Sequence, residues 1–228
     1  STRPLGVRKR RMKRHTGRLL SRRWLDADTF ELTLSRPAHF DFAAGQRLDL
    51  YLGDTVRAYS LVSAPFEPQL TLCIARVAHG RVSPHLAEVK LDATLHFSGP
   101  FGYFLFHPSR HPAVFVATGT GIAPFVCMVR AGIRNVTLLH GAADADRAHY
   151  GQWLAGRVAN YRACLSSPRV EKPALPAFRG RVTDYIERHL SGQNYDFYIC
   201  GRPAMVRDVV GIIDRRFPEA RVRMEIFG

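Results

Sequence analysis

Apolar residues recur at every second position in three short runs: Phe30, Leu32 and Leu34; Leu48, Leu50 and Leu52; Leu70, Leu72 and Ile74. Gly45-Gln46, Gly53-Asp54 and Ala64-Pro65 punctuate them. Side chains alternate faces along a strand, so this pattern predicts half-buried antiparallel strands from residue 29 to about 104, closed as a barrel or sandwich. Ser83-Pro84 reads as an N-cap followed by proline at the first helical position, opening a short helix through Glu88. Beyond the proline-containing stretch 107–112 the pattern changes. Compact apolar runs at 113–118, 135–140, 162–166, 196–200 and 221–227 are interspersed with helical patterns at 123–131, 183–190 and 204–217. Strands alternating with helices need crossover connections, which predicts a mainly parallel α/β sheet covered on both faces. The organisation expected is a basic tail or linker over 1–15, an antiparallel β-barrel over 16–108 and an α/β domain over 109–228.

Composition changes this picture in one respect. With 46% hydrophobic and 23% charged residues the 228-residue chain is an ordinary globular one, long enough for two cores. Its net charge of +14 is unevenly spread: residues 1–24 hold ten Arg or Lys and no acid, which leaves +4 on the rest. Such a head could bind nucleic acid, acidic lipid or an acidic protein. It lacks interleaved aromatics, and no helix-turn-helix or zinc pattern follows, so nucleic acid is not the expected partner. A solvated tail or the end of an interdomain linker is the preferred reading. The chain begins with Ser, so a processed product or a piece of a longer chain is expected.

Cys73, Cys127, Cys164 and Cys200 are too dispersed for a disulfide scaffold, and no C-x-x-C pair suggests a metal. Reduced thiols in a cytoplasmic protein follow as the expectation. The uncharged run 112–129 approaches membrane length, but Gly119, Gly121 and Pro124 interrupt it, so no span is expected. The basic start has no following apolar block, so no signal peptide is read.

Several segments carry candidate chemistry. Arg57 and Tyr59, two apart on a strand, place a phosphate-binding cation and an aromatic plane on one face; alone they better suit an edge strand with an exposed Arg and a half-buried Tyr. Ser60 faces elsewhere unless the strand ends there. Gly80-Arg81-Val82-Ser83 opens the short helix, as an anion cradle or as a plain capped turn. An apolar strand, then Gly119-Thr120-Gly121, then a helix from Ala123 lets a pyrophosphate approach the backbone. It is not the G-x-G-x-x-G pattern, because Pro124 holds the third glycine position. Cys200 ends an apolar strand, where packing competes with chemistry, and Glu225 lies on the last strand, where a surface carboxylate is the plain alternative.

Arg57-Ala58-Tyr59-Ser60, Gly99-Pro100-Phe101-Gly102, Gly119-Thr120-Gly121-Ile122-Ala123-Pro124, Cys200-Gly201-Arg202-Pro203-Ala204-Met205 and Glu225-Ile226-Phe227 follow in this order. Together they resemble the ferredoxin–NADP reductase superfamily, from about Gly17 to Gly228. The resemblance implies hydride transfer from NAD(P)H to a bound flavin. Electrons would then pass to a ferredoxin-like iron–sulfur protein or an oxygenase component. It implies that Arg57 grips the flavin phosphate, Tyr59 packs on the ring and Ser60 bonds near N5. Ala58, Cys73, Ile74, Ala75, Gly80, Val82, Ser83, Thr120 and Phe227 would complete the flavin site. Gly119, Thr120, Gly121, Ser166, Cys200, Gly201 and Met205 would meet the nicotinamide nucleotide. Cys200 would help place C4, and Glu225 would be the acidic residue beside the reacting atoms. The 99–102 turn favours FAD over FMN. Ala143 and Ser167 occupy positions where NADPH users carry cations, with Arg147 and Arg169 as possible substitutes, so the reading favours NADH. Two alternatives remain: a reductase that releases free reduced flavin, and a basic nucleic-acid or membrane adaptor.

Overall fold

The computed structural model describes residues 13–167, 174–192 and 194–226. Six antiparallel strands make the first sheet: β1 (Arg14–Trp24), β2 (Thr29–Ser35), β3 (Arg47–Leu52), β4 (Thr55–Ser60), β5 (Gln69–Ala75) and β6 (Thr94–Phe101). They lie in the order β4-β3-β6-β1-β2-β5. A bridge between Leu61, just beyond β4, and Leu72 of β5 joins the two outer strands and closes the sheet into a barrel. Leu32, Leu34, Leu48, Leu50, Leu70 and Leu72 fill it, each with at most 1% of its surface exposed. Burying each contributes about 1.5–3 kcal/mol, so the alternating pattern fixes which face turns inward.

β1 was not part of the alternating pattern. Arg14 and His15, assigned by sequence to the basic head, already pair with Ser98 and Phe97 of β6. Along this eleven-residue strand only Gly17 and Leu19 are buried, and its exposed arginines give it the look of a tail. The helix α1 (Ser83–Glu88) has the expected bounds but a different cap. Val82 is the N-cap; Ser83 is already helical, and its Oγ instead accepts the Val77 N–H at 3.0 Å. The hydroxyl therefore ties down the preceding loop rather than the helix end.

The second sheet is parallel throughout. Its strands are β7 (Ala113–Thr118), β8 (Val136–Ala142), β9 (Asn160–Leu165), β10 (Ala177–Arg179), β11 (Asp196–Gly201) and β12 (Arg221–Ile226), in the order β10-β9-β8-β7-β11-β12. Helices α2 (Ala123–Arg130), α3 (Gly151–Ala155), α4 (Val182–His189) and α5 (Pro203–Arg216) cover it. Phe125, Val126 and Leu154 from α2 and α3 join one core, Ile186, Val209 and Ile213 from α4 and α5 another. The chain builds outward from β7 in one direction through β10, then returns to place β11 on its other side. That reversal leaves a crevice at the carboxyl ends of β7 and β11, where open α/β sheets bind ligands.

Candidate functional site

The crevice opens onto the barrel. A cleft of about 520 Å³ is lined from one side by Arg57, Ala58, Tyr59 and Ser60 of β4, Cys73 and Ala75 of β5, and Gly80, Arg81, Val82 and Ser83. Thr118, Gly119, Thr120, Gly121, Gly201 and Arg202 line it from the other. The arginine–tyrosine strand and the glycine turn therefore face each other. Ser60 joins its neighbours in the cleft because β4 ends there. Arg57 bonds only its neighbour's carbonyl, Val56 O, and Arg57, Arg81 and Arg202 form no ion pair among the described residues. Three uncompensated cations around one cleft suit a polyanionic ligand. Burial pushes the Tyr59 phenol up to about 12 against the pull of Arg57, so it stays neutral and presents a flat face with a polar tip.

Backbone contact shapes the second wall. The chain leaves β7 through a 3-10 turn, Gly119–Ile122, that runs directly into α2. A Cβ on Gly121 would meet Cys200 O at 2.3 Å, and one on Gly201 would meet Thr118 Oγ1 at the same distance. Gly119, at φ +56°, has no atom within 4 Å of its missing Cβ: the turn's outer surface is open. The Thr118 hydroxyl accepts the Arg202 N–H at 3.3 Å and ties the two strand ends together.

Glu225, on β12, does not line this cleft but meets its edge through Ser60. Its Oε2 accepts the Ser60 hydroxyl at 3.3 Å and its Oε1 accepts Arg47 Nη1 at 3.2 Å. Burial raises its carboxyl above the usual range, while Arg47 and the two hydrogen bonds pull it back. Glu225 itself lines a second, open groove of about 950 Å³, with Arg47, Gly102, Tyr103 and Met224 among its walls.

Other expected site residues sit further off. Ile74 is wholly buried in the barrel core, which leaves only its backbone for a ligand. Cys200 is buried with its thiol pushed up by desolvation, so it is a neutral packing group beneath Gly121. Ser166 lies beyond β9, its Oγ 3.4 Å from Ala142 O, and Met205 lies in the first turn of α5 against Gly201; neither lines the cleft. Phe227 and Arg169 lie outside the described residues. Sequence reasoning missed Arg47, Thr118 and Arg202. Arg202 stood inside a quoted motif, but Arg47 gave no local signal, since its partner is 178 residues away.

Polar bonds stitch the domains together around the cleft. Tyr150 Oη donates to Glu31 Oε1 at 2.7 Å, His149 Nε2 meets Asp26 Oδ2 at 3.0 Å, and Arg130 meets Glu67 at 3.1 Å. The Cys127 thiol donates to Ser63 O at 3.0 Å. Among the described residues no group of His, Cys, Asp and Glu could hold a metal, and no helix is long and apolar enough to cross a membrane.

Residues 20–106 match the model of the oxidoreductase FAD-binding domain and residues 115–211 that of the oxidoreductase NAD-binding domain. Ferredoxin–NADP reductase B of Sorangium cellulosum is 34% identical over 83% of this chain and 86% of its own length. The chain belongs to the ferredoxin–NADP reductase family. The toluate 1,2-dioxygenase electron transfer component of Pseudomonas putida is 32% identical over 74% of this chain. The chain spans 53% of that relative, about half its length. A Neisseria gonorrhoeae ferredoxin NADP+ reductase solved with bound FAD and NADP superposes with a TM-score of 0.78 over 94% of this chain and 98% of its own, at 24% identity. The fold is thus that of the ferredoxin–NADP reductases, with an FAD-binding barrel and a nicotinamide-nucleotide-binding α/β domain.

Proposed function

We propose that the chain holds FAD as a prosthetic group, oxidises NADH and delivers electrons to an iron–sulfur or oxygenase partner. One observation carries this reading: a single cleft joins the Arg57–Tyr59 strand to the Gly119–Gly121 turn. Bound FAD would supply the redox chemistry, taking a hydride equivalent from the nicotinamide and releasing electrons one at a time. The chain's own part is to bind, orient and exclude water. Arg57, Arg81 and the backbone of Gly80, Val82 and Ser83 would hold the flavin phosphates, with Tyr59 against the ring and Ser60 at its polar edge. Ala58, Cys73, Ile74 and Ala75 would offer backbone and wall contacts, and Thr120 would touch both nucleotides. Gly119, Gly121 and Gly201 would let the second pyrophosphate approach the main chain. Cys200 would support the nicotinamide from beneath, and Ser166 and Met205 would flank its nucleotide.

NADH is favoured over NADPH because Ala143 offers no cation where β8 ends. Asp144 follows it, accepting the Arg147 N–H at 3.1 Å, and a carboxylate there repels a 2′-phosphate. The likeness to oxygenase electron transfer components supports the choice of acceptor. Cys73, Cys127, Cys164 and Cys200 are all free and buried, in keeping with a reducing cytoplasm. We place the domain boundary near residue 108, between the two matched regions.

The test is direct. Protein passed through gel filtration should keep its yellow colour, and anaerobic NADH should bleach it faster than NADPH. Replacing Arg57 and Tyr59 together should remove the flavin and leave the protein folded. Flavin lost from the native protein but reduced when added would indicate release of free reduced flavin instead. Full flavin retention in the double variant would refute the site.

A further inference from the structure

We infer that Arg47 is a positioning residue: it holds Glu225 across the domain boundary as a carboxylate aimed at Ser60. This rests on the reading of the cleft given above. Arg47 opens β3 in the barrel, and Glu225 lies one residue from the end of β12 in the other domain. The carboxylate is divided between two bonds, one oxygen on the Arg47 guanidinium at 3.2 Å and the other on the Ser60 hydroxyl at 3.3 Å. Fixing Oε1 therefore fixes the direction in which Oε2 reaches Ser60, which does line the cleft. The turn after β6 is shaped around this pair. Gly102 has φ +96°, and a Cβ there would come within 3.1 Å of Arg47 Nη1 and 3.7 Å of Glu225 Oε1.

Other charges do not do this work. Asp49 lies 4.0 Å from Arg47 Nε and draws on the same guanidinium. Cys200, opposite Glu225 on β11, is a neutral thiol. Arg223, two residues back on β12, turns to Tyr198, 3.4 Å from its hydroxyl. Among the described residues Arg47 is the cation bonded to Glu225. With Glu225's side chain only 12% exposed, burial would favour the protonated form if that cation were lost. A protonated Glu225 would accept from Ser60 as a neutral carbonyl, a weaker bond than the charge-assisted one the carboxylate makes.

The experiment follows the Glu225 carboxyl itself by carbon-13 NMR of side-chain-labelled protein, with Glu225→Gln to identify its resonance. Full-length protein is titrated with and without FAD. In Arg47→Gln the Glu225 midpoint should rise by about 1 pH unit or more, as expected when a bonded opposite charge is removed. Arg47→Lys should return most of the way, and thermal unfolding of both variants reports that they fold. In FAD-loaded protein the pH profile of bleaching by NADH should move with that midpoint, leaving the KM for NADH in place. An unchanged midpoint in Arg47→Gln overturns the inference, even where bleaching by NADH remains normal. A shifted midpoint in protein that binds no FAD upholds the Arg47–Glu225 coupling and refutes the flavin reading instead.

Discussion

His140 lies near the end of β8 with its whole side chain out of water. Nδ1 lies 3.0 Å from Tyr161 Oη, and Nε2 has no partner among the described residues. Burial, with His149 adding to it, drives its pKa from 6.5 down to about 3, so the folded protein holds a neutral ring. The unfolded chain takes up this proton first. Stability from this residue is therefore full above about pH 6.5 and falls as the pH drops toward 3, by up to about 1.4 kcal/mol per pH unit. Urea unfolding at pH 7 and pH 4.5 should show a smaller acid loss in His140→Gln than in the native protein. Tyr161→Phe strips the last hydrogen bond from the ring and should cost about 1–3 kcal/mol at pH 7. Asp196 behaves oppositely. Burial alone would raise its carboxyl, but Ser109 and Arg221 bond it and hold it below the usual range. Its contribution is present above the normal carboxylate value and disappears as the pH falls through the lowered one. Asp196→Asn should cost about 2 kcal/mol at neutral pH by chemical denaturation, and far less near pH 2.

Among elements, the turn between β7 and α2 separates two roles for glycine. At Gly121 an added methyl group runs into the backbone of Cys200, whereas at Gly119 it meets open space and only the positive φ is strained. Gly121→Ala should therefore cost about 1–3 kcal/mol of stability through overpacking. Gly119→Ala should cost about 1 kcal/mol from strain, and its larger effect should be on nucleotide affinity, read by NADH titration. This contrast also explains what the sequence could reveal. β2, β3 and β5 announced themselves because one face of each is buried, and a period of two records that directly. β1 did not, since four arginines along it cover only two inward positions, Gly17 and Leu19. α3 has five residues and enters from Tyr150 in a left-handed conformation, too short for a helical period to show. The glycine turns were legible because they are local. The Arg47–Glu225 pair was not, because only the assembled domains bring it together.

Across the whole molecule, the cleft lies between two halves whose cores touch and which meet at fixed polar points. Glu31 accepts Tyr150 Oη and also pairs with Arg23, so one carboxylate ties α3's entry to two barrel strands. Asp26 meets His149 in the same loop. Burial would raise Asp26, but N–H groups of Asp28 and Thr29 and the nearby His149 keep it lowered. His149 is lowered by its own burial, against the pull of Asp26. Removing this corner with Asp26→Asn and Tyr150→Phe together should leave both cores intact. It should loosen their relative placement, seen as faster proteolysis of the 105–112 connection at unchanged far-ultraviolet circular dichroism. Equal cleavage rates would show that apolar contact alone, such as Val62 and Cys73 against the second domain's core, sets the arrangement.

β12 adds to β11 as an outermost strand, and a ribosome reaches it after every other described strand has been made. A growing polypeptide thus owns Arg47 and Ser60 of the barrel well before the carboxylate that bolts the second domain to them is synthesised. Until translation passes residue 225, the two halves remain unfastened at this corner, and its completion is timed by the order of the message itself.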